Sequence, residues 1–336
     1  MAKARSGRGE QGQLDAVDLG IFLELQRDGR APFVAVADRL GVSEAHVRRR
    51  TARLIDAQVF SITAVADPKL FGIDCMAWLA ILAHQARATS VAEALVSLPE
   101  IDYVVQTAGE FNVMAEAACP SSQALYTLLG RIRDIPGVQL IETSVYLDLH
   151  CQQFQWSLNG NSRAVRARGE SELEPLDVDI VAQLHHDGRA SFRQIASQLG
   201  VSERTVSTRV ARLMDDNVLQ VIAVGDPATL GFDSMAWLCM RVREGADLKR
   251  TAAALANVAG IDYVVVSTGR YDLMAELVCR DRAHLLEMLQ HGVGQIREIV
   301  RVESFLYLRL LYPSAIGAWG AARSLGNTSW FNGHDE

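Results

Sequence analysis

The stretch that decides the fold reads Asp28-Gly-Arg-Ala-Pro-Phe-Val-Ala-Val-Ala-Asp-Arg-Leu-Gly-Val-Ser-Glu, and it occurs twice. Its second version begins at Asp187 and reads Asp-Gly-Arg-Ala-Ser-Phe-Arg-Gln-Ile-Ala-Ser-Gln-Leu-Gly-Val-Ser-Glu. Within the first, Ala37, Gly41 and Val47 stand at the spacing of a helix-turn-helix. The small residue lets two helices cross closely, the glycine supplies the left-handed turn between them, and the valine fastens the second helix to the core. Ala196, Gly200 and Val206 repeat the triplet in register, which makes a chance match hard to sustain. Ser43 and Ser202 are suited to cap the helix that follows, and Glu44 and Glu203 to its positive first turn.

Working outward, residues 15–26 place Val17, Ile21, Phe22 and Leu25 on one helical face, and Gly29-Arg30 ends that helix. Residues 33–40 form a short second helix with Val36, Ala37 and Leu40 inward. The third helix runs to about Asp56 and buries Val47 and Leu54. Its exposed face carries His46, Arg49, Arg50 and Arg53; the corresponding face of the second copy carries Arg204, Thr205, Thr208, Arg209 and Arg212. The start of a recognition helix faces base edges and its distal arginines reach phosphates. His46 and Arg49, and Arg204, Thr205 and Thr208, are therefore the expected base readers. Arg50, Arg53, Arg209 and Arg212, common to both copies, are assigned to phosphates or to fixing the helix. Ser43 and Ser202 complete the expected DNA face.

The similarity extends far beyond these helices. Residues 14–81 align with residues 173–240 without a gap, and nearly half of the positions are identical. After a one-residue shift, Ile101-Asp-Tyr-Val-Val matches Ile261-Asp-Tyr-Val-Val and Met114-Ala-Glu matches Met274-Ala-Glu; Glu142 and Tyr146 then answer Glu303 and Tyr307. A unit this long is a duplicated module of two domains, not a solenoid repeat. The expected boundaries are a tail at 1–13, a helix-turn-helix domain at 14–66, a second domain at 67–154 and a linker at 155–172. The second copy then occupies 173–225 and 226–313, with a C-terminal tail at 314–336. The Gly-, Asn- and Ser-containing linker reaches roughly 20–25 Å, enough for the copies to dock side by side.

The second half of each unit opens with strands at 60–66 and 219–225, followed by Asp-Pro turns and by Gly72 and Gly231. Then come strand, helix, strand, strand, helix, strand, from 74 to 149 and again from 233 to 311. This βαββαβ order is a ferredoxin-like, split βαβ arrangement, so the fold class is α+β: two winged-helix-like helix-turn-helix domains, each followed by a ferredoxin-like domain, in tandem duplication. Two helices cover one face of such a sheet. The first strand is apolar on both faces, with Met76, Trp78 and Ala80 alternating with Ala77, Leu79 and Ile81, so the second face needs a partner. The chain carries one, the other sheet.

Both units resemble the leucine-responsive regulator/AsnC (Lrp/AsnC) family, whose members join a helix-turn-helix to a βαββαβ amino-acid-sensing (RAM) domain. The resemblance rests on Asp18, Ile21, Gly29-Arg30, Leu40-Gly-Val-Ser, Val47, Arg50, Leu54, Asp67-Pro68 and Gly72, and in the second copy on Thr268-Gly-Arg-Tyr-Asp. It implies a transcriptional regulator that binds double-stranded DNA and a small-molecule effector, an amino acid or related metabolite. Family members usually pair as dimers of one unit; this chain looks like such a dimer fused, with further homo-oligomers expected.

The family's turn between the second and third sensor strands borders its effector pocket. Thr268, Gly269, Arg270, Tyr271 and Asp272 fit it: the glycine exposes amides suited to a carboxylate and the aspartate can accept from an ammonium. The first copy departs, reading Ala108-Gly-Glu-Phe-Asn. The second copy is therefore the expected ligand binder.

Other classes find less support. The formal net charge is −7, which argues against coating nucleic acid through bulk charge while leaving room for a local basic face. Five cysteines, an odd number with no CxxC pair, predict neither zinc nor a disulfide framework, but small buried hydrophobes. No metal or cofactor is expected. No apolar run is long enough to span a membrane and residues 1–13 lack a signal-peptide core, so a cytoplasmic protein is expected. Sirohaem decarboxylases also resemble this family, some as fused pairs. Yet the first sensor strands contain no His, His84 and His150 have no repeat counterpart, and His185-His186 falls in a helix-turn-helix, where a surface position is expected. A binding protein, not an enzyme, is the reading; an architectural protein without specific sites is the other alternative, opposed by the retained arginines.

Overall fold

The computed structural model describes residues 14–66, 68–152, 174–216, 218–225 and 227–311. The expected tails at 1–13 and 314–336 and the linker at 155–172 lie outside the described residues.

In each copy three helices lead into a strand. The first copy has α1 (Ala16–Arg27), α2 (Phe33–Leu40), α3 (Glu44–Asp56) and β1 (Phe60–Ala66). Asp15 caps α1 by accepting from the amides of Val17 and Asp18, and Gly41 closes α2 in the left-handed region at φ 67°. The Ser43 side chain accepts from the amide of His46 at the start of α3. Its sensor half runs β2 (Cys75–Ala83), α4 (Ala88–Val96), β3 (Ile101–Thr107), β4 (Val113–Cys119), α5 (Ser122–Arg133) and β5 (Val138–Gln152). The second copy repeats this as α6 (Pro175–His186), α7 (Phe192–Leu199), α8 (Glu203–Asp215) and β6 (Leu219–Gly225). Then come β7 (Ser234–Val242), α9 (Leu248–Ala256), β8 (Ile261–Ser267), β9 (Leu273–Cys279), α10 (Arg282–Glu287) and β10 (Ile299–Leu311).

One element departs from the repeat. Where the first copy has the α-helix α5, the second has the shorter α10, a π-turn at Met288–Gly292 and a 3-10 turn at Val293–Gln295. The sequence explains it: the interval from Met274 to Glu303 is one residue longer than that from Met114 to Glu142. A wider turn absorbs an inserted residue without rotating the rest of the helix off its sheet.

The pairing of the copies exceeds the expectation of two sheets laid face to face. β1 pairs antiparallel with β6 as a separate two-stranded sheet. The eight sensor strands close into one barrel, in the order β10-β3-β4-β2-β5-β8-β9-β7. Each copy contributes a ferredoxin-like four-stranded arc, and the seams β5–β8 and β10–β3 join them. Closure leaves the barrel without an open edge.

Burial follows the strand alternation. Ala77, Leu79 and Ile81 of β2 pack under α4 and α5, while Trp78 points into the barrel with Val105, Phe111, Met114, Trp237, Val265, Tyr271, Met274 and Phe305. The two helix-turn-helix domains share a single core, in which Ile21, Phe22, Val36, Val47 and Leu54 continue into Ile180, Val181, Ile195, Val206 and Leu213. The cysteines on β2, β4, β5, β7 and β9 are buried, as expected of small core residues. Burial pushes the thiols of Cys119 and Cys279 up to about 12, which leaves them inert.

Candidate nucleic-acid interface and sensor turn

The Asp-Gly-Arg-Ala loops, read from sequence only as helix ends, hold the two readers together. Gly29 N donates to Val221 O at 2.7 Å and Gly188 N to Ile62 O at 3.0 Å, so each loop hangs on the other copy's strand. A Cβ on Gly29 would stand 2.9 Å from Val221 O, and one on Gly188 2.9 Å from Ile62 O; only glycine permits the approach. Arg30 then donates to the carbonyls of Gly188 (2.7 Å) and Ala190 (3.1 Å) and lies 4.5 Å over the Phe192 ring. Arg189 reciprocates with Gly29 O (2.9 Å) and Ala31 O (3.1 Å) and lies 4.1 Å over the Phe33 ring. Burial disfavours the charge on both guanidinia; carbonyls and aromatic faces replace the lost water. The sequence trace of this clasp is the Gly-Arg pair that recurs in both copies.

His185 corrects another expectation. It is half-buried at the same junction, not on the surface: its Nδ1 lies 3.0 Å from Ala64 O, and Thr63 donates its hydroxyl to His185 O at 2.7 Å. His186 is exposed.

On the recognition helices the arginines divide into two groups. Arg50 meets Asp15 (2.5 Å) and Asp18 (3.0 Å), and Arg53 meets Asp18 at 2.6 Å. In the second copy Arg209 meets Glu174 (2.7 Å) and Asp177 (3.0 Å), and Arg212 meets Asp177 at 2.5 Å. Asp18 and Asp177 are buried, so these arginines answer buried charges and anchor α3 and α8 to α1 and α6. Of the two roles offered for them, fixing the helix is the one the geometry displays. The Arg53 and Arg212 side chains nevertheless remain about half exposed, at 59% and 45%.

Arg50 Nε also donates to His46 Nε2 at 2.6 Å, which holds the His46 ring against α3. Arg48 pairs with Glu44 one turn back. Arg49 and Arg204 are exposed, and no described residue engages either guanidinium. Thr208 is exposed and Thr205 half-buried, its hydroxyl 2.8 Å from that of Ser202. Ser202, Arg204, Thr205, Thr208, Arg209, Arg212 and Glu174 line one concavity of about 410 Å³. Ser43 and Ser202 are exposed and act as N-caps, accepting from the amides of His46 (3.3 Å) and Thr205 (3.0 Å).

At the sensor turn, groups expected to face an effector are held by protein. Thr268 N donates to Val145 O at 2.9 Å, and its hydroxyl accepts from Val145 N at 3.2 Å, across the β5–β8 seam. Asp272 accepts from the amide of Val242 (2.8 Å) and from Arg241 (3.0 Å). Asn112 performs the same strut in the first copy, bonding both the amide and the carbonyl of Ala83. Gly269 has φ 97°, the backbone the turn requires. Tyr271 donates to Glu303 at 2.5 Å, and Arg270 meets Glu110, the first copy's matching turn, at 3.0 Å, with Glu142 at 3.6 Å. Arg270 is about one-third exposed and faces Glu110 of the other turn. The two turns therefore face each other with opposite signs.

A second set of residues, noticed in sequence only as repeat markers, sits inside the barrel. Glu116 accepts from Tyr146 (2.7 Å) and from Tyr263 of the other copy (2.9 Å), so it ties the β5–β8 seam. Glu276 accepts from Tyr307 at 2.6 Å, beside the β10–β3 seam. Burial, reinforced by each carboxyl's acidic neighbour, pushes Asp102 and Glu276 well above the usual carboxylate range; burial also raises Glu116. The neighbours are Glu116 for Asp102 and Asp262 for Glu276. An acid at every equivalent position, within otherwise apolar strands, was the available signal.

Helix-turn-helix domains joined to βαββαβ domains, here clasped as one body on a closed barrel, are an architecture used by a class of DNA-binding regulators. Within that class, the AsnC-type helix-turn-helix domain matches residues 14–55 and 173–214, and the Lrp/AsnC ligand binding domain matches residues 75–155 and 236–315. The chain belongs to the Lrp/AsnC family, with both domains present twice. It is 30% identical over 138 residues to the HTH-type transcriptional regulator FL11 of Pyrococcus horikoshii, an alignment spanning 41% of this chain and 91% of that protein. It is 27% identical over 260 residues to the siroheme decarboxylase NirDL subunit of Paracoccus denitrificans, covering 74% of this chain and 78% of the relative. The crystal structure of the siroheme decarboxylase NirDL matches with a TM-score of 0.57 at 17% identity, over 92% of this chain and 99% of that one; this likeness shows the fold.

Proposed function

We propose that the chain is a sequence-specific DNA-binding transcriptional regulator that works as a covalent pseudo-dimer, its two readers addressing two half-sites on one duplex. The observation that carries this reading is the reciprocal Arg30–Arg189 clasp, which fixes α3 and α8 as one body while leaving Arg49 and Arg204 free to meet bases. Half-sites about one helical turn apart, or a multiple of it, suit such a pair. A small-molecule effector, an amino acid or related metabolite, binds at the sensor domains next to Arg270 and shifts assembly or the separation of the readers. By linkage it must bind the two arrangements with different affinities. The protein acts in the cytoplasm and assembles into further homo-oligomers. Genome-wide occupancy of the intact protein, compared with an Arg49→Ala/Thr208→Ala variant, tests the reading: the preferred sites should change, and unchanged site preference overturns the base-reading assignment.

One observation favours a second reading, decarboxylation of a tetrapyrrole: the similarity to the NirDL subunit covers 74% of this chain, more than one copy of the repeat. The regulator reading is the better supported because the FL11 match and both helix-turn-helix matches carry the DNA-binding half. Turnover of sirohaem by the purified protein would reverse that order.

A further inference from the structure

We infer that the operator of this protein is not a palindrome: its two half-sites each present a guanine to an arginine, but at positions shifted by about one to two base pairs relative to the dyad. The inference rests on the DNA-binding reading above and deepens it.

The frames of the two recognition helices are equivalent. Ser43 and Ser202 cap them in the same way, Val47 and Val206 are buried in the shared core, and Arg50/Arg53 and Arg209/Arg212 grip matching acidic partners. Two readers docked alike on a duplex would thus present equivalent positions to equivalent base pairs. The side chains at those positions are not equivalent. Ala45, His46, Arg48 and Arg49 stand where the second copy has Arg204, Thr205, Ser207 and Thr208.

The free guanidinium therefore sits at a different height on each helix. In α3 it is Arg49, six residues past the cap; in α8 it is Arg204, two past the cap. Four residues are about one turn, so both lie on nearly the same face, displaced by about 6 Å along the axis at 1.5 Å per residue. With base pairs stacked about 3.4 Å apart, that displacement corresponds to one or two steps. A bidentate arginine prefers guanine, and a threonine in the groove suits the thymine methyl. At the height where α3 offers Arg49, α8 offers Thr208; where α8 offers Arg204, α3 offers only the Ala45 methyl. A symmetric dimer of one unit could not make this distinction, because both readers would share one sequence. The fused chain can, and a non-palindromic site also gives the bound protein a direction along the DNA.

Selection of duplexes from a random-sequence library by the intact chain tests the inference. The expected outcome is an enriched site with two unlike halves, whose guanines are offset about the dyad. Arg49→Ala should lose about 5- to 150-fold of guanine preference in one half alone, and Arg204→Ala the same in the other. Ala45→Arg/His46→Thr/Arg48→Ser/Arg49→Thr, which gives α3 the exposed face of α8, should convert the enriched site to a palindrome. Enrichment of a palindrome by the unaltered chain overturns the inference and leaves the DNA-binding reading standing, as does equal relaxation of both halves by Arg49→Ala. Enrichment of no sequence at all overturns both.

Discussion

Trp78 and Trp237 stack with ring centroids 4.3 Å apart and planes inclined by 20°, one ring from each copy. They occupy the barrel interior, each flanked by a tyrosine, Tyr103 on Trp78 and Tyr263 on Trp237. Neither indole N–H finds a partner among the described residues. The contact thus works through area and ring stacking, and it joins the copies at the repeat's matched Met-Ala-Trp-Leu. Trp237→Ala should cost about 3–5 kcal/mol in stability. Trp237→Phe should cost less, because it keeps a ring on Trp78 and removes a buried unpartnered donor. Urea unfolding measures both, and equal losses for the two variants would contradict the stacking account.

The seam carboxyls predict a pH dependence opposite to that of a surface ion pair. Burial holds Asp102, Glu116 and Glu276 above their unfolded values, and acidic neighbours push Asp102 and Glu276 further up. The folded state therefore keeps protons that the unfolded chain releases above about pH 4. Their stabilising share is fully present below the unfolded values and is lost as pH rises through the raised folded ones. Asp15 has the reverse sign: backbone amides and Arg50 lower it, so its share is present above its unfolded value and lost as pH falls through the folded one. Unfolding free energy should accordingly decline toward alkaline pH. In Glu116→Gln/Glu276→Gln, which removes two ionising groups and keeps an acceptor for each tyrosine, the alkaline decline should flatten. An unchanged slope would show that these carboxyls do not titrate between the folded and unfolded states.

The reciprocal loops yield a prediction that separates DNA affinity from fold. Gly29→Ala places a methyl 2.9 Å from Val221 O, where backbone must move. The expected cost is about 1–3 kcal/mol of stability, as for other overpacked sites. Because Arg30 and Phe192 lie in the same contact, the geometry of α3 relative to α8 should change with it. Binding to a duplex carrying both half-sites should weaken, while binding to one half-site should not. Titration of the two duplexes side by side measures this, and parallel weakening would mean that the clasp does not set reader separation.

How much of this was legible in the sequence depends on whether a role is local. The turn glycines Gly41 and Gly200, the serine caps and the buried valines each follow from a few neighbouring residues, and the structure places them as read. The two apolar faces of β2 announced a second layer correctly, but alternation does not say whether edges meet, so the closed barrel was not foreseen. Two roles stay open for Arg50 and Arg209 in the sequence, because their partners Asp15 and Glu174 lie 35 residues away. The role of Arg30 is invisible in the sequence for the same reason carried further: its carbonyl acceptors belong to the other copy and have no side-chain signature. The aspartate of the sensor turn looked like a ligand group, yet its carboxylate is occupied by Val242 N.

That occupied aspartate shapes the test of sensing. If Asp272 is a strut, Asp272→Asn should fold normally, because Asn112 already holds Ala83 in the same way in the first copy. It should also leave any effector response largely intact. Arg270 is different, since it bridges to the facing Glu110 and retains an exposed outer surface. An effector carboxylate competing for that guanidinium would have to displace Glu110, which links binding directly to the contact between the two turns. Arg270→Ala should abolish the effector's influence on DNA affinity, whereas Glu110→Gln should make the effector bind more tightly by freeing the arginine. Calorimetric titration with amino acids, run beside DNA binding for the three variants, distinguishes these outcomes. Loss of response in Asp272→Asn with retention in Arg270→Ala would return the recognition role to the aspartate.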